Sequence, residues 1–114
     1  MYYIGVDLGT SAVKLLLMEE SGKICNIVSK EYPLFFPHPG WSEQNPEDWF
    51  TQSVEGMKEL TEGIDRSLVA GIGFGGQMHG LVMIGADGKL IRNAIIWADQ
   101  RSEKEIQKIY DITC

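Results

Sequence analysis

Tyr2-Tyr3-Ile4-Gly5-Val6-Asp7-Leu8-Gly9-Thr10-Ser11-Ala12-Val13-Lys14, residues 2–14, decides how the rest of the chain is read. On an extended backbone Tyr2, Ile4, Val6 and Leu8 share one side, and Tyr3, Gly5 and Asp7 share the other. Gly9-Thr10-Ser11 reads as a turn. Ala12–Met18 reads as a second strand, apolar at nearly every position and so expected to be buried on both faces. A carboxylate at the end of an apolar strand, such as Asp7, is costly to bury unless it is paired, hydrogen-bonded or near a metal. Gly9 lets the backbone approach a ligand, and Thr10 and Ser11 bring hydroxyls. Amides in such a turn form an anion site, and Lys14 can add positive charge. Asp7 for a hydrated Mg²⁺ and the turn for phosphate oxygens make a kit suited to the β- and γ-phosphates of ATP. The competing reading of the same residues is a plain β-hairpin with a solvated Asp7.

Outward from this hairpin, Glu20-Ser21-Gly22-Lys23 predicts a second turn, and Ile24–Phe36 a third, longer strand ending at Pro37. Asn45-Pro46-Glu47-Asp48 has the signature of a helix start: a capping Asn, Pro at the first helical position and acids in the first turn. Trp49, Phe50, Val54, Met57, Leu60 and Ile64 recur near helical spacing and predict one apolar face, with Gly63 near the C-terminus. Ser67–Gly73 reads as a strand. Leu81–Ile84 and Leu90–Ile96 read as two more, joined by a turn at Asp87-Gly88. Ser102-Glu103-Lys104-Glu105 is a capping-box pattern ahead of a helix whose face carries Ile106, Ile109 and Tyr110. The order predicts an α/β fold: three antiparallel strands, a helix, a parallel strand, then a hairpin-like pair and a helix. That order is not a doubly wound Rossmann sheet.

The totals exclude several classes. A chain of 114 residues with 44% apolar and 23% charged residues is one domain or part of one, able to bury a core. The net charge of −6 argues against a nucleic-acid surface, which needs a basic footprint. Cys25 and Cys114 have no metal-ligand spacing and read as reduced thiols. MYYIGVDLGT lacks a basic n-region and a long apolar run, so neither a signal peptide nor a membrane span is expected, and the expected location is cytoplasmic. The helical pattern is still running at Cys114, which suggests a truncated chain.

Gly71-Ile72-Gly73-Phe74-Gly75-Gly76 matches G-x-G-x-x-G literally. The dinucleotide reading of that pattern requires a helix opening at the third glycine. Gln77-Met78-His79-Gly80 and an apolar hairpin follow instead, so that reading is rejected. No G-x-x-x-x-G-K-[ST] occurs either.

Ile4-Gly5-Val6-Asp7-Leu8-Gly9-Thr10-Ser11 resembles the first phosphate hairpin of the sugar-kinase, heat-shock-protein-70 and actin superfamily. Pro39-Gly40-Trp41-Ser42-Glu43-Gln44-Asn45-Pro46-Glu47-Asp48-Trp49 resembles a segment of FGGY carbohydrate kinases. Gly76-Gln77-Met78-His79-Gly80 and Ile96-Trp97-Ala98-Asp99-Gln100-Arg101 resemble the xylulose-phosphorylating members of that family. The resemblance runs along the whole chain in order. It implies a ribonuclease-H-like, actin-like ATPase domain, of which residues 1–114 would be the N-terminal part of domain I, with a second domain absent. It also implies Mg²⁺ and ATP as cofactors, D-xylulose as partner, and phosphorylation to D-xylulose 5-phosphate.

By the same resemblance Asp7 takes the metal and catalytic role, Gly9, Thr10, Ser11 and Lys14 the phosphates, and Gln77, Met78 and His79 the sugar. A neutral His79 can donate from one ring nitrogen and accept at the other. Without the resemblance, Met78 reads as a core residue and His79 as a structural histidine. Asp99 and Arg101 are substrate candidates too, with a surface ion pair at a helix start as the equal alternative. Trp41 and Trp49 read as packing residues, and Trp97 either flanks the pocket or fills the core.

The general base and the adenine site would lie outside these residues, so the chain alone is expected to be inactive. Asp48, Asp65, Asp87, Asp99 and Asp111 are not promoted to that base. A homodimer of the full-length protein is an open expectation, and an uncovered sheet edge could self-associate. Phe74-Gly75 stands where a small residue then Ser is common, and Ala98 where a polar residue is common. Both leave another sugar or polyol as the alternative substrate. An ATP-binding module of the actin or chaperone kind is the rival from another class.

Overall fold

The first hairpin forms where the alternation predicts it, with β1 at Tyr2–Leu8 and β2 at Ala12–Glu19. The computed structural model describes residues 1–114 throughout. β3 (Ile24–Glu31) pairs antiparallel with β2, and β5 (Val69–Gly76) pairs parallel with β1, giving the sheet order β3-β2-β1-β5. The helix α1 (Pro46–Leu60) starts at the proline as predicted, and a short 3-10 turn, Arg66–Leu68, leads into β5. These elements form one compact unit, Met1–Pro33 with Pro46–Met78. A second unit comprises Leu34–Asn45 and His79–Cys114. It holds the two-residue strands β4 (Glu43–Gln44) and β6 (Ala94–Ile95), paired antiparallel, and the helix α2 (Glu103–Thr113).

In the first unit the core is Ile4, Val6, Val13, Leu15, Leu17, Val28, Tyr32 and Leu60, with Trp49, Met57 and Ile64 packed against it. Only one face of β2 is fully buried. Val13, Leu15 and Leu17 are buried, Leu16 and Met18 are half-buried and Lys14 is exposed. The expectation of burial on both faces is therefore corrected, because α1 covers one side of the sheet. Gly56 is buried in α1, and a Cβ there would come within 2.5 Å of Leu15 Cδ1. The missing side chain lets the helix lie close on β2. Phe50 falls off the apolar face and is exposed.

β3 stops at Glu31 rather than at Phe36. Pro33 has no N–H for a ladder, and it restricts Tyr32 to extended backbone. The last pairing on this side is Tyr32 N–H to the Ser11 carbonyl at 3.2 Å.

In the second unit the predicted Leu81–Ile84 and Leu90–Ile96 pair is reduced to two bridges, Leu81–Ile95 and Ile84–Leu90, which are out of register with each other. Leu81, Ile84 and Ile91 are all exposed there. With no layer to bury their side chains, register is weakly specified. β6 instead pairs with β4, and Phe35 bridges Glu43 on the other side. Ser102 precedes α2 but makes no side-chain capping bond, so the capping box does not form. Its φ of −92° and ψ of 7° lie outside the extended region that an N-cap uses.

Candidate functional site

β1 and β5 run parallel, so their carboxyl ends lie side by side. Asp7 is opposite Gly75 and Leu8 opposite Gly76. Gln77 N–H donates to the Leu8 carbonyl at 2.8 Å. A Cβ on Gly76 would lie 2.9 Å from both Leu8 Cβ and Leu8 O, so this approach requires glycine. The hairpin turn and the start of the Gln77-Met78 stretch thus leave the sheet together, where open α/β sheets place their ligands.

Across the hairpin, Asp7 stands opposite Lys14, and both are exposed. On the face that carries Asp7, Gly5 faces Gly73 and Asp7 faces Gly75. A Cβ at any of these three glycines would meet nothing within 4 Å, so the approach to Asp7 along the sheet is open.

The turn itself is tight. Gly9 N–H donates to Ala12 O at 2.9 Å and to Asp7 O at 3.2 Å, so that amide is already engaged. A Cβ on Gly9 would sit 2.9 Å from Ala12 O. Gly9 therefore contributes compactness, while Thr10 and Ser11 occupy the tip. No group of three or more metal-ligating side chains occurs in the chain. One exposed carboxylate suits an ion that keeps most of its waters and shares phosphate oxygens, as Mg²⁺ does. It does not suit an all-protein cage.

Gln77 is half-buried and Met78 is 72% exposed, which removes Met78 from the core. Both belong to the first unit and His79 to the second. His79 is the only non-glycine residue with a positive φ, 63°. Histidine is one of the few residue types that tolerate this region, and strain of this kind clusters at functional positions.

Asp99 and Arg101 form a buried network in the second unit. Asp99 accepts from Ser42 N–H at 2.7 Å and from Arg101 N–H at 2.9 Å. Arg101 Nε and Nη2 grip the same carboxylate at 2.9 and 2.7 Å. Arg101 Nη2 also donates to Glu43 Oε2 at 2.7 Å, and Arg92 Nη2 joins it at 2.9 Å. The side chains of Asp99 and Glu43 are 3% and 8% exposed, so this is a buried cluster and not a surface pair. The Arg101 guanidinium lies 3.8 Å over the Trp41 ring, against which His38 packs edge-on at 4.4 Å. The hydrogen bonds from Arg101 hold the Asp99 carboxyl down at about 2, and the same contacts raise the Arg101 pKa.

The network pins a turn at both ends. Ile96 N–H donates to Ser42 O and Asp99 N–H to Ile96 O, leaving Trp97 exposed at the tip. Trp97 does not fill the core. Glu43 and Arg92 were missed by the sequence reading. The acidic Glu43 inside an otherwise polar loop was the available signal.

Residues 2–112 match the FGGY family of carbohydrate kinases, N-terminal domain. The chain belongs to the FGGY family. A xylulose kinase of Bacillus subtilis (strain 168) is 48% identical over 103 residues, covering 89% of this chain and 21% of that protein. The crystal structure of ligand-bound xylulose kinase from Lactobacillus acidophilus has a TM-score of 0.92 at 37% identity, covering 97% of this chain and 22% of that one. A gluconate kinase structure from Lactobacillus acidophilus matches equally, with a TM-score of 0.92 at 37% identity over 97% of this chain and 22% of that one. The chain thus spans about a fifth of the length of these relatives. No helix of the chain is long and apolar enough to cross a membrane.

Proposed function

We propose that the full-length protein carrying this chain transfers a phosphoryl group from ATP to a sugar hydroxyl, and that the sugar is D-xylulose. The observation that supports this most is the shared exit of the Asp7 turn and the Gln77-Met78 stretch from adjacent parallel strands, in a chain of the FGGY family. Phosphoryl transfer depends chiefly on positioning and on neutralising charge. Asp7 would hold Mg²⁺ through water, and the ion would offset the charge of the phosphates. Thr10 and Ser11, with Lys14 beside Asp7, bind phosphate oxygens. Gln77 and His79 hydrogen-bond sugar hydroxyls, and the exposed Met78 packs on the carbon face. A site built on such bonds rejects analogues lacking the hydroxyls by a factor of about 10⁴ or more.

We assign the general base to no residue of this chain. Asp65 accepts from Ser67, Asp87 from Lys89 N–H and Asp111 from Gln107. Asp99 is gripped by Arg101, and at about 2 it is too weak a base. Asp99 and Arg101 act by holding the Trp97 turn. The chain by itself is then inactive.

A second reading, a gluconate-type acceptor, is favoured by the equal likeness to the gluconate kinase structure. The test is His79→Ala in the full-length protein. The KM for the sugar should rise about tenfold, as loss of one or two hydrogen bonds implies, with the KM for ATP unchanged. Equal effects on both would return His79 to a purely structural role.

A further inference from the structure

Tyr32 lies one residue beyond β3, is 5% exposed and belongs to the core of the first unit. From that anchored position it makes two bonds to the hairpin turn. Its hydroxyl donates to the Gly9 carbonyl and its N–H to the Ser11 carbonyl. The two bonds tie the Gly9 and Ser11 carbonyls, on either side of Thr10, to the end of β3. Pro33 fixes the extended backbone of Tyr32 that makes both bonds possible.

We propose that Tyr32 is a positioning residue for the phosphate turn, clamping it at the Gly9 and Ser11 carbonyls so that the turn keeps one shape for the phosphoryl groups of a nucleoside triphosphate. This role rests on the kinase reading above. Tyr32 touches neither substrate and acts only through the turn. Burial, reinforced by the nearby Asp7 carboxylate, pushes the phenol up to about 12, so it remains a donor at neutral pH.

The test uses Tyr32→Phe in the full-length protein, which keeps the ring in the core and removes only the hydroxyl. Val28→Ala serves as a variant of the same core that removes neither bond to the turn. Two quantities are read: amide exchange of the peptide spanning the turn without nucleotide, and KM for Mg·ATP against KM for the sugar. Tyr32→Phe should speed exchange in the turn about tenfold and raise the KM for Mg·ATP about five- to tenfold, leaving the sugar KM unchanged. Val28→Ala should lower stability without this split. Unchanged exchange in Tyr32→Phe, or equal movement of both KM values as in Val28→Ala, would overturn the role while leaving the kinase reading intact. A wild-type protein that binds no Mg·ATP would overturn both.

Discussion

Asp99→Asn should destabilise the second unit by about 2–4 kcal/mol, with loss of its acid-side stability profile. The magnitude follows from the geometry. The carboxylate accepts Ser42 N–H, Arg101 N–H and the Arg101 fork, and its side chain is 3% exposed. Its pKa falls from 3.8 to about 2 on folding. At 1.36 kcal/mol per unit, that difference is worth about 2 kcal/mol in the ionised form. Because the folded value is the lower one, this stability is fully present above about pH 4. It is lost as pH falls toward 2, where the folded carboxylate also protonates. An amide keeps the shape but not the charge, and it leaves Arg101 buried with Glu43 alone. Removing one partner of a buried pair costs about 3–5 kcal/mol. The surviving bond from Arg101 to Glu43 brings the expected loss somewhat below that range.

Urea unfolding followed by tryptophan emission reports on the second unit through Trp41, which lies under Arg101, and Trp97, while Trp49 reports on the first. The wild type should lose stability between pH 4 and 2, and Asp99→Asn should show a flatter limb. A loss below about 0.5 kcal/mol with an unchanged limb would refute the claim that this carboxylate is a buried, charged anchor.

Three further outcomes follow from the same structure. Gly76→Ala should lose about 1–3 kcal/mol by urea unfolding, because the new Cβ would meet the Leu8 backbone at 2.9 Å. For Gly56→Ala, the helix-propensity gain of about 1 kcal/mol competes with a Cβ only 2.5 Å from Leu15 Cδ1. The clash should win, with a net loss of about 1 kcal/mol by the same assay. At His79, glycine should be tolerated within about 0.5 kcal/mol, whereas valine should lose about 1–2 kcal/mol, since the φ of 63° excludes β-branched residues. Equal stability of the two variants would contradict the strained backbone.

The first hairpin and both helices were legible because their signals are local: period-two alternation around Gly9, and helical spacing after Pro46. The parallel β1–β5 pairing followed from a strand, helix, strand order. Two-residue strands carry no period, so β4 left no pattern, and β6 is the short part of the predicted Leu90–Ile96 strand that pairs. The Glu43 cluster joins residues 49 and 58 positions apart, which no local reading connects. Tyr32 was absorbed into a strand that the following proline in fact ends, which hid its reach to Gly9. The capping-box pattern at Ser102 was present in sequence and absent in structure, because the pinned Asp99–Arg101 turn delivers Ser102 with a non-extended backbone. Among the candidate residues, Asp7, Gly9, Thr10, Ser11 and Lys14 were singled out by a local motif, and the structure places them on one hairpin. The network around Asp99 and Arg101 became visible only through burial and distance.

The central claim is phosphoryl transfer to a sugar by the full-length protein that carries this chain. The most direct measurement is ADP release with Mg²⁺ and ATP across D-xylulose, other ketopentoses, gluconate, polyols and glycerol, with the phosphorylated product identified. The account predicts strong ADP release with D-xylulose and a D-xylulose 5-phosphate product. Release with gluconate alone would keep the phosphate site and replace the acceptor. ADP release that no sugar stimulates would contradict the account.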